Sequence, residues 1–142
     1  MSAPQNSPAE VSTMVRVFIV EDHPIMRQAL LALVNREDDL SVCGEAVTAE
    51  VALERIAAVA PDVALLDVSL PGMDGLELVA LLTELHPTLY CMMLSGHGER
   101  TYVDRALACG ARGYVLKSDV VEIVDGVRAV AGGGTYLSAG CH

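Results

Sequence analysis

Residues 63–72, VALLDVSLPG, decide how this chain folds. Four apolar residues run directly into Asp67, and Pro71 and Gly72 then mark a turn. Such a short apolar run closed by a turn is typical of a buried strand in a parallel sheet. Asp67 would lie at the carboxyl end of that strand, where open α/β sheets bind their ligands. The stretch therefore predicts a central strand and a functional carboxylate.

Strand-like and helix-like segments alternate along the rest of the chain. Runs rich in β-branched and apolar residues predict four further strands, at residues 15–20, 40–46, 89–94 and 113–116. Apolar residues at helical spacing after each strand predict helices near 24–36, 48–60, 74–85, 99–109 and 118–131. This strict alternation predicts an α/β fold, a doubly wound five-stranded parallel sheet with five helices.

Three parts of the chain differ in composition. Residues 1–14 are rich in Ser, Pro and Ala without periodicity, which predicts a disordered leader. Either Met1 or Met14 suits as the first residue of the natural protein. Residues 15–131 contain no linker and predict one domain, whereas residues 132–142 begin with three glycines and predict the start of a linker.

The bulk composition restricts the classes of function. Hydrophobic residues make up 52% of the 142-residue chain, and the formal net charge is −10. This charge argues against direct nucleic-acid binding, which relies on clustered lysine and arginine. The four cysteines include no CxxC pair and are typical of buried thiols in a reducing compartment. With neither a membrane-spanning run nor a signal peptide in the sequence, we expect a cytoplasmic protein that does not contact membranes.

Five polar residues end or follow the predicted strands. Right-handed crossovers bring the carboxyl ends of parallel strands to one edge, so that edge would gather Glu21, Asp22, Asp67, Ser95 and Lys117. Three carboxylates there need a cation between them, and hard oxygen ligands suit Mg²⁺. Asp67 would attack phosphorus as a nucleophile and form an acyl phosphate, with the Lys117 ammonium and the Ser95 hydroxyl on its oxygens.

The same residues resemble the receiver domain of two-component response regulators, a family of flavodoxin-like topology. The resemblance covers about residues 15–131. Its NarL/LuxR-type character is seen in the sequences 21–24 and 127–138. The segments that carry the receiver pattern are Glu21-Asp22, Asp67, the sequence 71–75 (PGMDG), Ser95, and Lys117 after the sequence 110–114 (GARGY).

The resemblance implies a phosphorelay in which a histidine kinase or a small donor phosphorylates Asp67. Asp22 and Asp67 would bind Mg²⁺ directly, Glu21 through water, and Ser69 through its backbone carbonyl. On phosphorylation Ser95 would approach the phosphate and Tyr114 would turn inward. These movements would rearrange the face of the fourth helix, fifth strand and fifth helix. The result is a switch rather than an enzyme.

Four positions depart from the common receiver pattern or vary within it. The first acid is Glu21, where Asp is also common, and Ser118 follows Lys117, where many receivers have Pro. Ser69 and His97 occupy the two positions that flank the phosphate and tune its hydrolysis. His97 suits this role, and it equally suits an exposed loop position.

Two rival functions fit less well. A phosphatase of the haloacid dehalogenase type would need a second Asp two residues after its nucleophile, where this chain has Ser69. A flavodoxin-type flavin module would need a phosphate-binding loop rich in Ser, Thr and Gly after the first strand. That loop contains Glu21 and Asp22 instead, which repel phosphate unless a cation is bound.

The NarL/LuxR-type resemblance also implies a helix-turn-helix DNA-binding domain after the glycine-rich segment, through which transcription would be regulated. The chain stops at His142 before any such domain. A receiver fragment and a natural single-domain regulator both fit, and the sequence 135–138 favours the fragment. A homodimer on phosphorylation is expected, through either the first and fifth helices or the fourth and fifth.

Overall fold

The computed structural model describes residues 14–141, so the predicted leader lies outside the described residues except for Met14. The described strands are β1 (Val15–Val20), β2 (Leu40–Ala46), β3 (Val63–Asp67), β4 (Tyr90–Ser95), β5 (Gly113–Leu116) and β6 (Tyr136–Leu137). The helices are α1 (Pro24–Asn35), α2 (Ala49–Val59), α3 (Gly75–Leu85), α4 (Arg100–Ala108) and α5 (Ile123–Ala131), and a 3-10 helix (Lys117–Glu122) precedes α5.

All described strands form one parallel sheet in the order β2-β1-β3-β4-β5-β6. The predicted doubly wound α/β fold is thereby confirmed. β3 lies between β1 and β4, and all five of its residues are buried. An interior parallel strand is covered on both faces, which explains why its sequence is a continuous apolar run.

The sheet has one strand more than the five expected. Tyr136 and Leu137 pair with Gly113 and Tyr114 at the outer edge of β5. They lie in the segment 132–142 that the sequence predicts as the start of a linker. Two residues behind three glycines give no periodic signal. Pairing there satisfies backbone groups that an edge strand would otherwise expose.

Two apolar clusters cover the faces of the sheet. Leu66 of β3 belongs to the cluster that includes residues of α2, α3 and α4, whereas Leu65 belongs to the cluster formed with α1 and α5. Successive side chains of a strand point to opposite faces, so a single run supplies both cores. Helices therefore cover both faces, as predicted.

Local capping fixes where the helices next to the site begin. The Thr48 side chain accepts a hydrogen bond from the Val51 amide at the start of α2. Asp74 and Glu77 form a reciprocal capping box at the start of α3. None of the helices within residues 14–141 combines the length and the apolar character needed to cross a membrane.

The fifth helix begins later than its sequence predicts. The sequence predicts a helix from about residue 118, but the chain first forms a 3-10 helix, and α5 starts at Ile123. Asp119 leaves helical geometry, with φ −108° and ψ 28°. The carboxylates of Asp119 and Glu122 accept hydrogen bonds from backbone amides of residues 139–140. These tertiary bonds compete with a regular first turn.

Candidate functional site

Asp67 is the last residue of β3, and its side chain is fully buried. Its Oδ1 accepts a hydrogen bond of 3.0 Å from the Ser69 amide. The following loop folds tightly against α3, because the Gly75 amide donates to the Val68 carbonyl at 2.9 Å. A Cβ at Gly75 would collide with the carbonyl oxygen of Asp67. A glycine at the start of α3 is therefore needed to hold this carboxylate in place.

Lys117, the only lysine of the chain, lies beside this carboxylate. It follows β5 directly, and its Nζ lies 3.3 Å from Asp67 Oδ2 and 3.7 Å from Glu21 Oε1. The side chain is 25% exposed, so Lys117 is only partly buried at the edge of the sheet. The predicted pairing of Lys117 with Asp67 is present.

Glu21 and Asp22 follow β1 and complete the acidic cluster. Glu21 is fully buried, and its Oε2 accepts a 3.1 Å hydrogen bond from the His23 amide. Burial raises the pKa of the Glu21 carboxyl above its ordinary value, and the negative charge of Asp67 acts in the same direction. The His23 amide and the Lys117 ammonium oppose this increase.

The chemistry of this cluster fits a hard divalent cation. Ligand atoms of Glu21, Asp22, His23 and Asp67 all lie within 4.8 Å of one another. Within residues 14–141, the buried side-chain oxygens or nitrogens that lack a hydrogen-bond partner are Glu21 Oε1 and Asp22 Oδ1. Buried carboxylate oxygens without partners are costly unless a cation meets them. Oxygen donors of this kind are those that Mg²⁺ prefers.

His23 belongs to this cluster more closely than the sequence indicates. It stands at the N-cap position of α1, as expected of a helix-start residue. Its Nδ1 also lies 3.3 Å from Glu21 Oε2 and 3.5 Å from Asp22 Oδ1. The sequence signal was its position directly after the two acids, but the ring orientation depends on the local turn.

Ser95, His97 and Tyr114 form a second group beside β4 and β5. Ser95 is buried, and its Oγ accepts a 3.0 Å hydrogen bond from the His97 amide. The Tyr114 hydroxyl donates to the His97 carbonyl at 2.5 Å. The ring of Tyr114 is buried and already points inward, and this burial raises the pKa of its phenol.

Tyr102 of α4 is a further neighbour of this group, which the sequence does not single out as a site residue. Its ring stacks on the His97 imidazole, with centroids 4.7 Å apart and planes inclined by 22°. His97 is therefore fixed at its amide, its carbonyl and its ring. The contact depends on the loop conformation, for which one histidine and one tyrosine five residues apart give no distinctive sequence signal.

Residues 17–128 match the family model of the response regulator receiver domain. The chain belongs to this family. Among the receiver's curated relatives, the transcriptional regulatory protein MctR of Rhizobium johnstonii is 35% identical over 127 residues, which cover 89% of this chain and 59% of MctR. The transcriptional activator DevR/DosR of Mycobacterium tuberculosis is 38% identical over 126 residues, covering 87% of this chain and 58% of that protein. The receiver thus spans less than two thirds of these relatives.

Solved structures place the receiver with NarL/LuxR-type response regulators. A two-component response regulator of the LuxR family from Aurantimonas has a TM-score of 0.85 and 29% identity, covering 89% of this chain and 91% of that chain. The signal receiver domain of the M. tuberculosis NarL has a TM-score of 0.73 and 35% identity, covering 81% and 97%. The flavodoxin-like receiver fold is shown for this chain.

Proposed function

We propose that this receiver is a phosphorylation-dependent switch in which a histidine kinase or a small donor phosphorylates Asp67. The observation that carries the proposal is the pairing of buried Asp67 with Lys117, beside two more acids at the carboxyl edge of the sheet. A carboxylate held this way has a fixed position and a cation beside it. In phosphoryl transfer, positioning and charge stabilisation supply most of the catalysis.

The transfer is a displacement at phosphorus. An oxygen of the Asp67 carboxylate forms the new P–O bond while the P–N bond of a phosphohistidine breaks, and the released imidazole takes up a proton. The product is an acyl phosphate on Asp67. The Lys117 ammonium, which now contacts Oδ2, would move to a phosphoryl oxygen, where it pairs with the added negative charge.

The acidic cluster would hold Mg²⁺ for this step. Asp22 and Asp67 would contact the ion directly, Glu21 through water, and Ser69 through its backbone carbonyl. A bound Mg²⁺ neutralises the carboxylates and stabilises charge on the transferring oxygens. The two carboxylate oxygens without hydrogen-bond partners, Glu21 Oε1 and Asp22 Oδ1, support Glu21 and Asp22 as members of this ligand set.

Phosphorylation would change the face formed by α4, β5 and α5. The Ser95 hydroxyl, now bonded to the His97 amide, would turn toward the phosphate. We assign the inward orientation of the Tyr114 ring to the phosphorylated state, and the added charge would shift a two-state equilibrium toward that orientation. Ser69 and His97 flank the phosphate position and would set how fast water removes the group.

The output of the switch would be transcription. The curated relatives are transcriptional regulators, and this receiver matches only part of their length. We propose that this receiver likewise acts through a DNA-binding domain outside residues 1–142. A homodimer of receivers would be the active form. The net charge of −10 supports a receiver that does not itself bind nucleic acid.

Intact-mass measurement tests this function. The chain is incubated with acetyl phosphate, or with phosphoramidate as a P–N donor, with and without Mg²⁺. The expected result is the mass increase of one phosphoryl group, which requires Mg²⁺ and is lost in Asp67→Ala. Asp38→Ala, an exposed acid on the turn before β2, serves as the matched control and should be phosphorylated normally. An unchanged mass of the folded chain with both donors and Mg²⁺ would contradict the proposal.

A further inference from the structure

Residues 136–141, here called the C-terminal strap, lie along the outer edge of β5. The Ser138 amide donates to the Tyr114 carbonyl at 3.0 Å, and the Ser138 hydroxyl accepts from the Leu116 amide at 3.0 Å. The Cys141 thiol contacts the same Tyr114 carbonyl at 3.7 Å. Ser138 is 3% exposed. The strap is therefore bonded to the backbone of the strand that carries Tyr114.

Two acids of the 3-10 helix hold the strap from the other side. Glu122 accepts a 2.6 Å hydrogen bond from the Tyr136 hydroxyl and further bonds from the Ala139 amide. Asp119 accepts from the Gly140 amide at 2.8 Å. Hydrogen bonds to charged acceptors are stronger than neutral ones. The position of the strap thus depends on the helix that begins at the site lysine.

The far end of the strap also touches the loop after β4. A Cβ at Gly98 would lie 2.9 Å from the Gly140 carbonyl oxygen, and a Cβ at Gly140 would lie 2.6 Å from Leu116 Cδ1. Gly98 follows His97, and Leu116 precedes Lys117. A side chain at either glycine would therefore push the two segments apart. The strap therefore contacts both segments that flank the phosphoacceptor.

We propose that the outer edge of β5 is a docking surface whose occupant is the chain's own strap, and that phosphorylation of Asp67 favours docking. The inference rests on the proposed function. Tyr114 links the two events, because its ring is buried against the His97 loop while its carbonyl binds the strap. The docked strap stabilises the inward arrangement that the proposed function assigns to the phosphorylated state. The edge of β5 that the strap covers would therefore report the phosphorylation of Asp67, beside the face formed by α4, β5 and α5.

Hydrogen–deuterium exchange of the 142-residue chain tests the linkage. Exchange of the amides of residues 136–141 is followed with Mg²⁺ alone and with Mg²⁺ plus acetyl phosphate, while intact mass reports phosphorylation in the same samples. We expect phosphorylation to slow this exchange by roughly fivefold or more, a typical coupling between sites. In Asp67→Ala, the amides of residues 136–141 should exchange at the same rate with and without the donor.

Gly140→Ala displaces the strap without touching the site. Its added Cβ would lie 2.6 Å from Leu116 Cδ1 and 2.8 Å from Asp119 Oδ2, whereas a Cβ at Gly132 meets its nearest neighbour at an ordinary 3.5 Å. In Gly140→Ala, the strap amides should exchange rapidly with or without the donor. In Gly132→Ala, they should exchange as in the wild type. Glu122→Ala, which removes strap bonds without adding volume, should resemble Gly140→Ala.

The outcomes separate the two proposals. A phosphorylated wild-type chain whose strap exchanges at an unchanged or faster rate overturns the linkage and leaves the proposed function intact. Phosphorylation-dependent slowing that survives in both Gly140→Ala and Glu122→Ala overturns it as well. An unchanged mass in the wild type overturns the proposed function, and the linkage with it.

Discussion

The Lys117 ammonium lies 3.3 Å from Oδ2 of Asp67, although the two residues are 50 positions apart. The same ammonium is 3.7 Å from the buried Glu21 carboxylate. It is therefore the side-chain cation that stands between two buried acids before a metal or a phosphoryl group arrives. Removing this ammonium should therefore affect the stability of the fold and the phosphorylation of Asp67 as two separate effects.

Lys117→Met keeps an unbranched side chain of nearly the same length and removes its charge. Without Mg²⁺ the variant leaves two buried carboxylates facing each other, and we expect the free energy of unfolding to fall by about 1–3 kcal/mol. Added Mg²⁺ should restore part of this loss, since the ion replaces the missing positive charge. Urea unfolding with EDTA and with MgCl₂ measures both effects. Arg105→Met, an exposed cation on α4, is the control, and equal losses in the two variants would refute this account.

Mg²⁺ should stabilise the wild-type fold at constant ionic strength. A ligand at 100 times its dissociation constant adds about 2.7 kcal/mol to the free energy of unfolding. Asp22→Asn and Asp67→Asn should lose most of this increment. In EDTA, however, both should be at least as stable as wild type, because each removes one of the clustered charges. Thermal unfolding across a MgCl₂ series checks this, and an equal Mg²⁺ response in wild type and both variants would exclude the cluster as the binding site.

Gly75→Ala should damage the site through the backbone alone. The new Cβ would meet the Asp67 carbonyl and the Val68 Cα, neither of which is a flexible side-chain end. Overpacking of this kind typically costs about 1–3 kcal/mol, and phosphorylation of Asp67 should slow because the carboxylate shifts. Gly132→Ala is the matched control, since a Cβ there meets its nearest neighbour at an ordinary 3.5 Å and lies away from the site. Denaturant unfolding and the rate of mass increase report the two effects; similar behaviour of both variants would contradict the prediction.

Arg128 joins α5 to the turn before β2. Its guanidinium donates to Asp39 at 2.8 and 2.9 Å and to Glu37 at 2.8 Å. The pKa of Asp39 is therefore lowered from its ordinary value of 3.8, mainly by the hydrogen bond with Arg128.

A lowered pKa stabilises the fold above the unfolded value, and this contribution is lost as the pH falls through the folded value. Arg128→Met should therefore have a lower Tm than wild type at neutral pH, with a difference that shrinks below about pH 4 and in high salt. Thermal unfolding from pH 3 to 7 checks the trend. A difference that grows on acidification would show that another group is responsible.

The residues that sequence reasoning placed correctly share one property, which is their position at strand ends. Asp67 ends a strand, and Glu21, Asp22 and Lys117 follow strands, whose apolar runs are plain in the sequence. The parallel topology then brings them together whatever the loops do. This is why the gathering of three acids and a lysine at one edge of the sheet could be predicted from the sequence.

Features that depend on loop geometry could not be predicted in this way. The stacking of His97 on Tyr102 and the approach of His23 to the acids follow from turns that no periodic pattern encodes. The pairing of Tyr136 with β5 and the late start of α5 depend on tertiary hydrogen bonds to Glu122 and neighbouring acids. Tertiary contacts override local propensity in such short segments.

The sixth strand has a practical consequence for anyone who trims this protein. A chain cut after Ala131, at the end of α5, would leave the outer backbone groups of β5 without partners. Such an open edge is a template for pairing with another molecule, and it promotes self-association and precipitation. An isolated receiver should therefore be expressed with residues through 141, so that the outer edge of β5 remains paired.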